Sequence, residues 1–324
     1  MSTPVKTPWT HISEIRNRTR EYIDKRRKGE IKSFRTPWYK LNHELVLGYE
    51  WQTINLLAGS SGIGKTAIKD QIIKEGMELN KDQNIVALEY QFEMTDIQTG
   101  ARELTAPTGM SIKKLFSAEE GELVTDEEFE QIEQLHHKRK NDRIYQVSSP
   151  RKVDTMEKEI LSFYEYAKKT YGDDVRVLIS VDHALLIDGG MDDNSELDTI
   201  GNMAKMFLRI KKRVPVIVFI LSQLNSYIEE PSRRENGKVS NFPTKRDLYG
   251  GKQLYFACDT VMIFMKPLAD GISIYGPGRF DVTQGDYIFN HILKTRFSNP
   301  TTLTFKADME HFRIEECDPP PVKK

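Results

Sequence analysis

From about residue 51 the chain alternates short apolar runs with longer stretches whose apolar residues recur at helical spacing. The runs predict strands at 53–58, 85–92, 143–147, 175–181, 214–221, 260–265, 287–293 and 303–306. The helical spacing predicts helices over 66–78, 126–139, 155–171 and 198–213. In the third of these, Met156, Ile160, Phe163, Ala167 and Tyr171 share one face, and Gly172 supplies a C-terminal stop. The early strands lack polar/apolar alternation, as strands covered by helices on both faces do. Strand–helix–strand repetition predicts an α/β fold with a mostly parallel central sheet flanked by helices. The last strands follow one another without helices. The sheet is therefore expected to end in antiparallel hairpins, with Tyr275-Gly-Pro-Gly278 as a turn.

Both ends of the chain depart from this pattern. Residues 1–40 carry eleven Lys/Arg against four acids, and Ile12, Ile15, Thr19 and Ile23 recur at helical spacing among them. So thin a stripe cannot build a core; it either docks on the main body or a neighbouring subunit, or forms a solvated basic arm. Residues 317–324 are rich in proline and lysine and are expected to be a disordered tail, which leaves 41–316 as the folded domain. Over the whole 324 residues, 47 Lys+Arg nearly cancel 48 Asp+Glu, so bulk charge names no partner. Two cysteines are too few for a disulfide framework and fit a reducing, cytoplasmic setting. No run approaches the roughly 18 apolar residues of a membrane span.

The strongest chemical signal is Gly59-Ser-Ser-Gly-Ile-Gly-Lys-Thr66, a full match to G-x-x-x-x-G-K-[ST] between a predicted strand and a predicted helix. Gly59, Ser60, Ser61, Gly62, Ile63 and Gly64 would curl their backbone N–H groups around phosphate, at the positive end of the helix dipole. Lys65 would neutralise β/γ-phosphate charge and Thr66 would ligate Mg2+, so ATP with Mg2+ is the expected ligand. A magnesium shell also needs a carboxylate at a strand end, and VRVLISVD places Asp182 there. Hydrolysis needs a group that activates water. Glu93, at the end of the second strand, is favoured over Glu89, which lies inside that strand and is expected to be paired structurally. Gln223 ends the strand VIVFIL, where a neutral amide can sense the γ-phosphate.

The order YQFEM, VLISVDHALLIDGG, PVIVFILSQLN, DLYGG, LKTRF resembles the RecA-fold motor domain of DnaB-type replicative helicases. The similarity runs from about residue 12 to residue 315 and includes a basic N-terminal segment similar to that family's linker helix. The separate N-terminal helical domain that binds primase in bacterial members has no counterpart here, as in a stripped-down, viral version. The resemblance implies a RecA-like P-loop NTPase, with Glu93 activating water and Asp182 supporting the metal. Arg102 matches a family arginine in the first helix after the second strand. Lys294 and Arg296 match a pair that reaches the neighbouring subunit's nucleotide, their alternation placing both on one strand face. Without the resemblance, that K-T-R reads as an ordinary exposed strand face.

The polar stretch 225–252 is too long for a passive connection. The resemblance makes it the holder of single-stranded DNA, through Lys245, Arg246, Tyr249, Gly250, Gly251 and Lys252. The family has an Arg-Glu pair where this chain has Tyr249-Gly250. A second channel-facing loop, 189–196, is acidic and a poor phosphate binder. His136 and His137 read as surface histidines, and the basic run 209–213 as a complement to its helix dipole. Together these imply an ATP-dependent DNA helicase that assembles as a ring, a hexamer by resemblance. It would travel 5′ to 3′ on one strand, with a primase or loader as possible partner. The alternatives are a RecA-like recombinase or loader that does not unwind, and an ATP-controlled ring scaffold.

Overall fold

The computed structural model describes residues 9–184, 187 and 195–323. Of the acidic loop, residues 189–194 lie outside the described residues. In chain order the elements begin with α1 (Ile12–Arg27), α2 (Tyr39–Glu44), β1 (Thr53–Gly59), α3 (Lys65–Leu79) and β2 (Ile85–Gln91). Next come α4 (Asp96–Thr108), α5 (Ile112–Phe116), α6 (Asp126–Arg139), β3 (Ile144–Val147), α7 (Val153–Tyr171) and β4 (Arg176–Asp182). Then follow α8 (Glu196–Ile210), β5 (Val216–Ser222), α9 (Gly251–Ala257) and β6 (Thr260–Met265). The chain closes with β7 (Ile274–Tyr275), β8 (Phe280–Asp281), β9 (Tyr287–Lys294), β10 (Thr301–Asp308) and β11 (Arg313–Cys317).

Nine strands form one sheet in the order β11-β10-β9-β6-β1-β5-β4-β2-β3. From β6 to β3 the neighbours run parallel, while β9, β10 and β11 pair antiparallel, as the run of helix-free strands implied. The phosphate-loop strand β1 sits in the middle, flanked by β5 and β6, so its C-terminal end opens at the centre of the sheet. The residues of β1, β2 and β5 are buried throughout, which explains their unbroken apolar sequence. On one sheet face α7 and α8 bury Met156, Ile160, Met203 and Phe207. On the other, α3 buries Ile68, Ile72 and Ile73, joined by Phe34, Trp38, Leu41, Leu45 and Tyr49 from the segment before β1.

That lead-in segment is fixed by specific contacts. Phe34 and Tyr49 exchange backbone N–H···O bonds of 2.8 Å. The Trp38 indole donates to Ile314 O at 3.0 Å and packs edge-on against Phe305. Glu316 accepts from the backbone N–H groups of Lys40 and Leu41, capping α2 from across the molecule.

The arm is helical, as its spacing suggested, but its own domain does not cover it. Ile12, Ile15 and Ile23 are all exposed on α1, and only its root is tied down, by Tyr22 and Arg26 to Glu50. Two expectations need correction. The tail is not without structure: Pro320 is buried, Pro321 O accepts from Asp281 N, and Val322 bridges Phe280. The β7–β8 hairpin, whose turn the Gly-Pro-Gly sequence did mark, offers the tail an edge to pair with. Further, β9 ends at Lys294, so Arg296 lies beyond the strand and the pair does not share a strand face.

Close approach makes one glycine informative. A Cβ on Gly76 of α3 would sit 2.4 Å from Phe34 Cζ and 3.2 Å from Arg35 O. Alanine is favoured over glycine in a helix by about 1 kcal/mol, but overpacking a full core costs about 1–3 kcal/mol. Gly76→Ala is therefore expected to destabilise the protein by about 1 kcal/mol, read from its urea midpoint. An unchanged or higher midpoint would show that Phe34 can yield.

Candidate active site

The turn between β1 and α3 is built by glycines in conformations that side chains resist. Gly62 and Gly64 have φ of 75° and 97°, in the left-handed region. Gly64 precedes the first helical residue, so the N-terminus of α3 opens onto the concavity the turn creates. Ile63 turns its side chain into the core, leaving only its backbone to the loop. Lys65 Nζ donates to Gly59 O and Ser60 O, both at 2.9 Å, folding back over the loop. Burial lowers its pKa, while the nearby Asp182 and Glu93 carboxylates oppose that shift.

A cavity of 310 Å³ lies over this turn. Ser61, Gly62, Gly64, Lys65 and Thr66 form its floor, and Glu93, Arg102, Asp182 and Gln223 form its walls. Residues far apart in the chain thus converge because β2, β4 and β5 all end at the same side of a parallel sheet. Glu93 stands two residues past β2 and is exposed; Asp182 closes β4 and is buried. A larger cavity of 410 Å³, lined by Lys74, Lys138, Arg139 and Arg143, lies toward the other end of α3 and contains none of the motif residues.

Three parts of the site had no counterpart in the sequence reading. The β10–β11 turn brings Met309 and Phe312 onto the cavity, and the Arg102 guanidinium lies 4.5 Å from the Phe312 ring centroid. His183 also lines it; burial holds its pKa below the usual histidine value, against the pull of Glu93 and Asp182. No local motif marks these residues, because a turn far along the chain from the loop supplies the first two. Beneath the turn, Lys69 of α3 is fully buried and pairs with Asp70 and, at 3.3 Å, with Glu89. This agrees with a structural role for Glu89. Burial works against the Lys69 ammonium, yet the carboxylates of Asp70, Glu89 and Asp182 hold its pKa above the usual lysine value. The charges continue through Asp70 to Lys74 and on to Glu103 of α4, the helix that carries Arg102.

The remaining candidates lie elsewhere. Lys294 donates to Tyr255 O at 2.7 Å and to Phe256 O at 3.3 Å, and burial lowers its pKa, with Arg296 adding to the effect. Arg296 pairs with Asp259 at 2.6 Å. In the 225–252 stretch, Lys245, Arg246 and Lys252 are exposed, and Tyr249 donates to Glu196 at 2.6 Å. Gly250, with φ of 72°, precedes α9, which Gly251 begins. Arg233 of the same stretch is structural: it is buried, grips both Asp247 oxygens at 3.0 and 2.9 Å, and donates to Ser240 O and Phe242 O. The stretch is also tied to β5, since Gln223 O accepts from Tyr249 N at 3.1 Å and Leu224 bridges Leu248.

The residues present fit a triphosphate with Mg2+. Asp182 is 1% exposed, and its Oδ2 has no hydrogen-bond partner among the described residues, facing the wall that Thr66 shares. One carboxylate, one hydroxyl and substrate phosphates are how Mg2+ is commonly held. Fold and site together define a P-loop NTPase with a RecA-like sheet. The model of the DnaB-like helicase C-terminal domain matches residues 33–269, and the chain belongs to that family. Its activity is accordingly that of an ATP-dependent helicase motor. Among solved structures the chain resembles an isolated ATPase domain, with 17% identity and a TM-score of 0.76, over 96% of this chain and 100% of that one. It also resembles a DnaB-like replicative helicase described with its interactions with primase, with 17% identity and a TM-score of 0.73. That match covers 89% of this chain and 64% of the other. No curated protein sequence matches the chain. No described helix is long and apolar enough to cross a membrane.

The buried charge pair under the loop yields a prediction. Lys69→Met strands Glu89 in the core and is expected to lose about 3–5 kcal/mol of stability in urea unfolding. Lys69→Met combined with Glu89→Leu should recover most of that loss, because no lone charge is left behind. Equal destabilisation in both variants would show that packing, and not charge, holds the site.

Proposed function

We propose that this chain is the motor subunit of a ring, a hexamer by family resemblance, that hydrolyses ATP between subunits and draws single-stranded DNA through its centre to unwind duplex during replication. The observation that carries the reading is the division of the functional groups. Lys65, Thr66, Glu93, Arg102, Asp182 and Gln223 meet in one cavity, whereas Lys294 and Arg296 lie outside it on the same chain. A site completed by a neighbour's basic pair accounts for both facts.

In this mechanism Lys65 leaves the carbonyls of Gly59 and Ser60 for the β/γ-phosphates, and the N–H groups of residues 61–66 cradle them. Thr66 and Asp182 hold Mg2+, which neutralises the phosphate charge that develops during transfer. Glu93 takes the proton of the attacking water. Gln223 senses the γ-phosphate, and its backbone bond to Tyr249 offers a direct link to the stretch assigned to DNA. In that stretch Lys245, Arg246 and Lys252 supply charge for the DNA backbone, and Tyr249, Gly250 and Gly251 the turn that presents it. The uncovered apolar stripe of α1 is assigned to a neighbouring subunit, where burial would favour the ring. A loader or primase would be a further partner.

A forked duplex with a 5′ single-stranded tail tests the reading. ATP-dependent strand separation is expected, abolished by Lys65→Ala and lost with retained nucleotide binding in Glu93→Gln. DNA-stimulated hydrolysis without separation would instead support a recombinase or loader, and hydrolysis indifferent to DNA a scaffold. An arginine acting across an interface contributes about 10³–10⁵ in rate. Arg296→Ala should therefore cut hydrolysis at least about 10³-fold. Mixing Arg296→Ala with Lys65→Ala subunits should restore part of it, since some interfaces then pair an intact loop with an intact arginine. No recovery on mixing would argue against action in trans.

A further inference from the structure

Strands β2 and β4 are parallel neighbours, and their register sets Gln91 beside Asp182 and, one step deeper, Glu89 beside Ser180. Residues paired in this way point to the same sheet face, here the α3 face, where Lys69 reaches Glu89. Gln91 and Asp182 are each 1% exposed. Neither atom of the Gln91 amide has a hydrogen-bond partner among the described residues, nor does Asp182 Oδ2. A buried amide with no partner bears its full desolvation penalty, and an apolar side chain of similar length would fold at least as well. Such a group is accounted for when its partner arrives with the ligand.

We infer that Gln91 is a positioning residue for the metal centre, its amide donating to Asp182 and accepting from a metal-bound water when magnesium nucleotide is in place. The inference rests on the nucleotide reading above. Its chemistry follows from how Mg2+ is held: the ion keeps several waters, and each needs an acceptor where no solvent reaches. An amide suits the position because it can donate to the carboxylate and accept from the water at once, and it adds no charge to repel Asp182. Groups that orient a metal's ligands this way typically change metal affinity about 10–100-fold when removed.

The test uses the full chain, with Mn2+ as the probe, titrated by electron paramagnetic resonance in the presence of ADP. Gln91→Met and Gln91→Leu are expected to weaken Mn2+ binding about 10–100-fold. The same variants should keep wild-type affinity for ADP in EDTA and an unfolding temperature, without ligand, equal to or above wild type. Loss of metal affinity alongside equal or greater thermal stability is a combination that a purely structural role would not produce. Mn2+ affinity within twofold of wild type in a folded variant would overturn the inference while leaving the nucleotide reading intact. Wild-type protein that holds no Mn2+ with ADP would overturn both.

Discussion

The position at which α3 begins governs the rest of the molecule. Its first turn must lie over the C-terminal end of the central strand, and two things put it there. Left-handed glycines at 62 and 64 reverse the chain within a few residues, and a lysine sealed beneath the helix ties it to the next strand through Glu89. Such a pair is not a general source of stability, because desolvation offsets much of its attraction. Its consequence here is positional. Since Lys69 cannot leave Glu89 and Asp70 without stranding charge, α3, β2 and, through Lys74, α4 hold one arrangement, and these elements carry or lead to Lys65, Glu93 and Arg102.

The other side of the same cavity is closed from the far end of the chain. β11 is an edge strand, and an unpaired edge invites association with other chains. The fold covers part of it locally: the Gln71 amide of α3 bonds both to and from Ile314, as a neighbouring strand would. Trp38 takes the same carbonyl, and Glu316 caps α2. With β11 fixed to α3, the β10–β11 turn has little freedom, and Met309 and Phe312 rest against the loop and Arg102. Thr105 and Gly109 of the α4 region hold that turn through His311, so α4 is bound at both the phosphate end and the sheet edge.

What could be read in advance divides along physical lines. The phosphate loop was legible because its chemistry is local, with glycine conformation, lysine and threonine all within one short run, 59–66. The parallel strands were legible because burial on both faces leaves continuous apolar runs. The partners of those elements were less so. α4 escaped notice although Thr95 and Gln98 form its capping box, because Gly100 and Pro107 disguise it as a loop. β11 reads as charged, Arg-Ile-Glu-Glu-Cys, since its burial falls chiefly on Ile314. Met309 and Phe312 belong to the cavity only once the sheet is assembled. The alternation assumed for Lys294 and Arg296 failed because β9 breaks register beside Val261 and then ends.

The two best-placed arginines outside the cavity show how structure separates groups that sequence treats alike. Arg233 is buried against a fully buried Asp247 and gives four hydrogen bonds, so moving it would leave an uncompensated carboxylate in the core. Arg296 is 56% exposed, and its partner Asp259 is held independently by Lys211 at 2.6 Å and by the Ile54 N–H at 2.8 Å. Releasing Arg296 therefore leaves Asp259 satisfied. The pair, being largely in water, is worth about 0.2–1 kcal/mol. A triphosphate presented by a facing subunit offers charge-assisted hydrogen bonds that are stronger than this. The same arginine can thus rest on its own chain and transfer to a neighbour's site at little energetic cost, as an alternating cycle requires. Arg233 can serve only as a clamp for the stretch between β5 and α9.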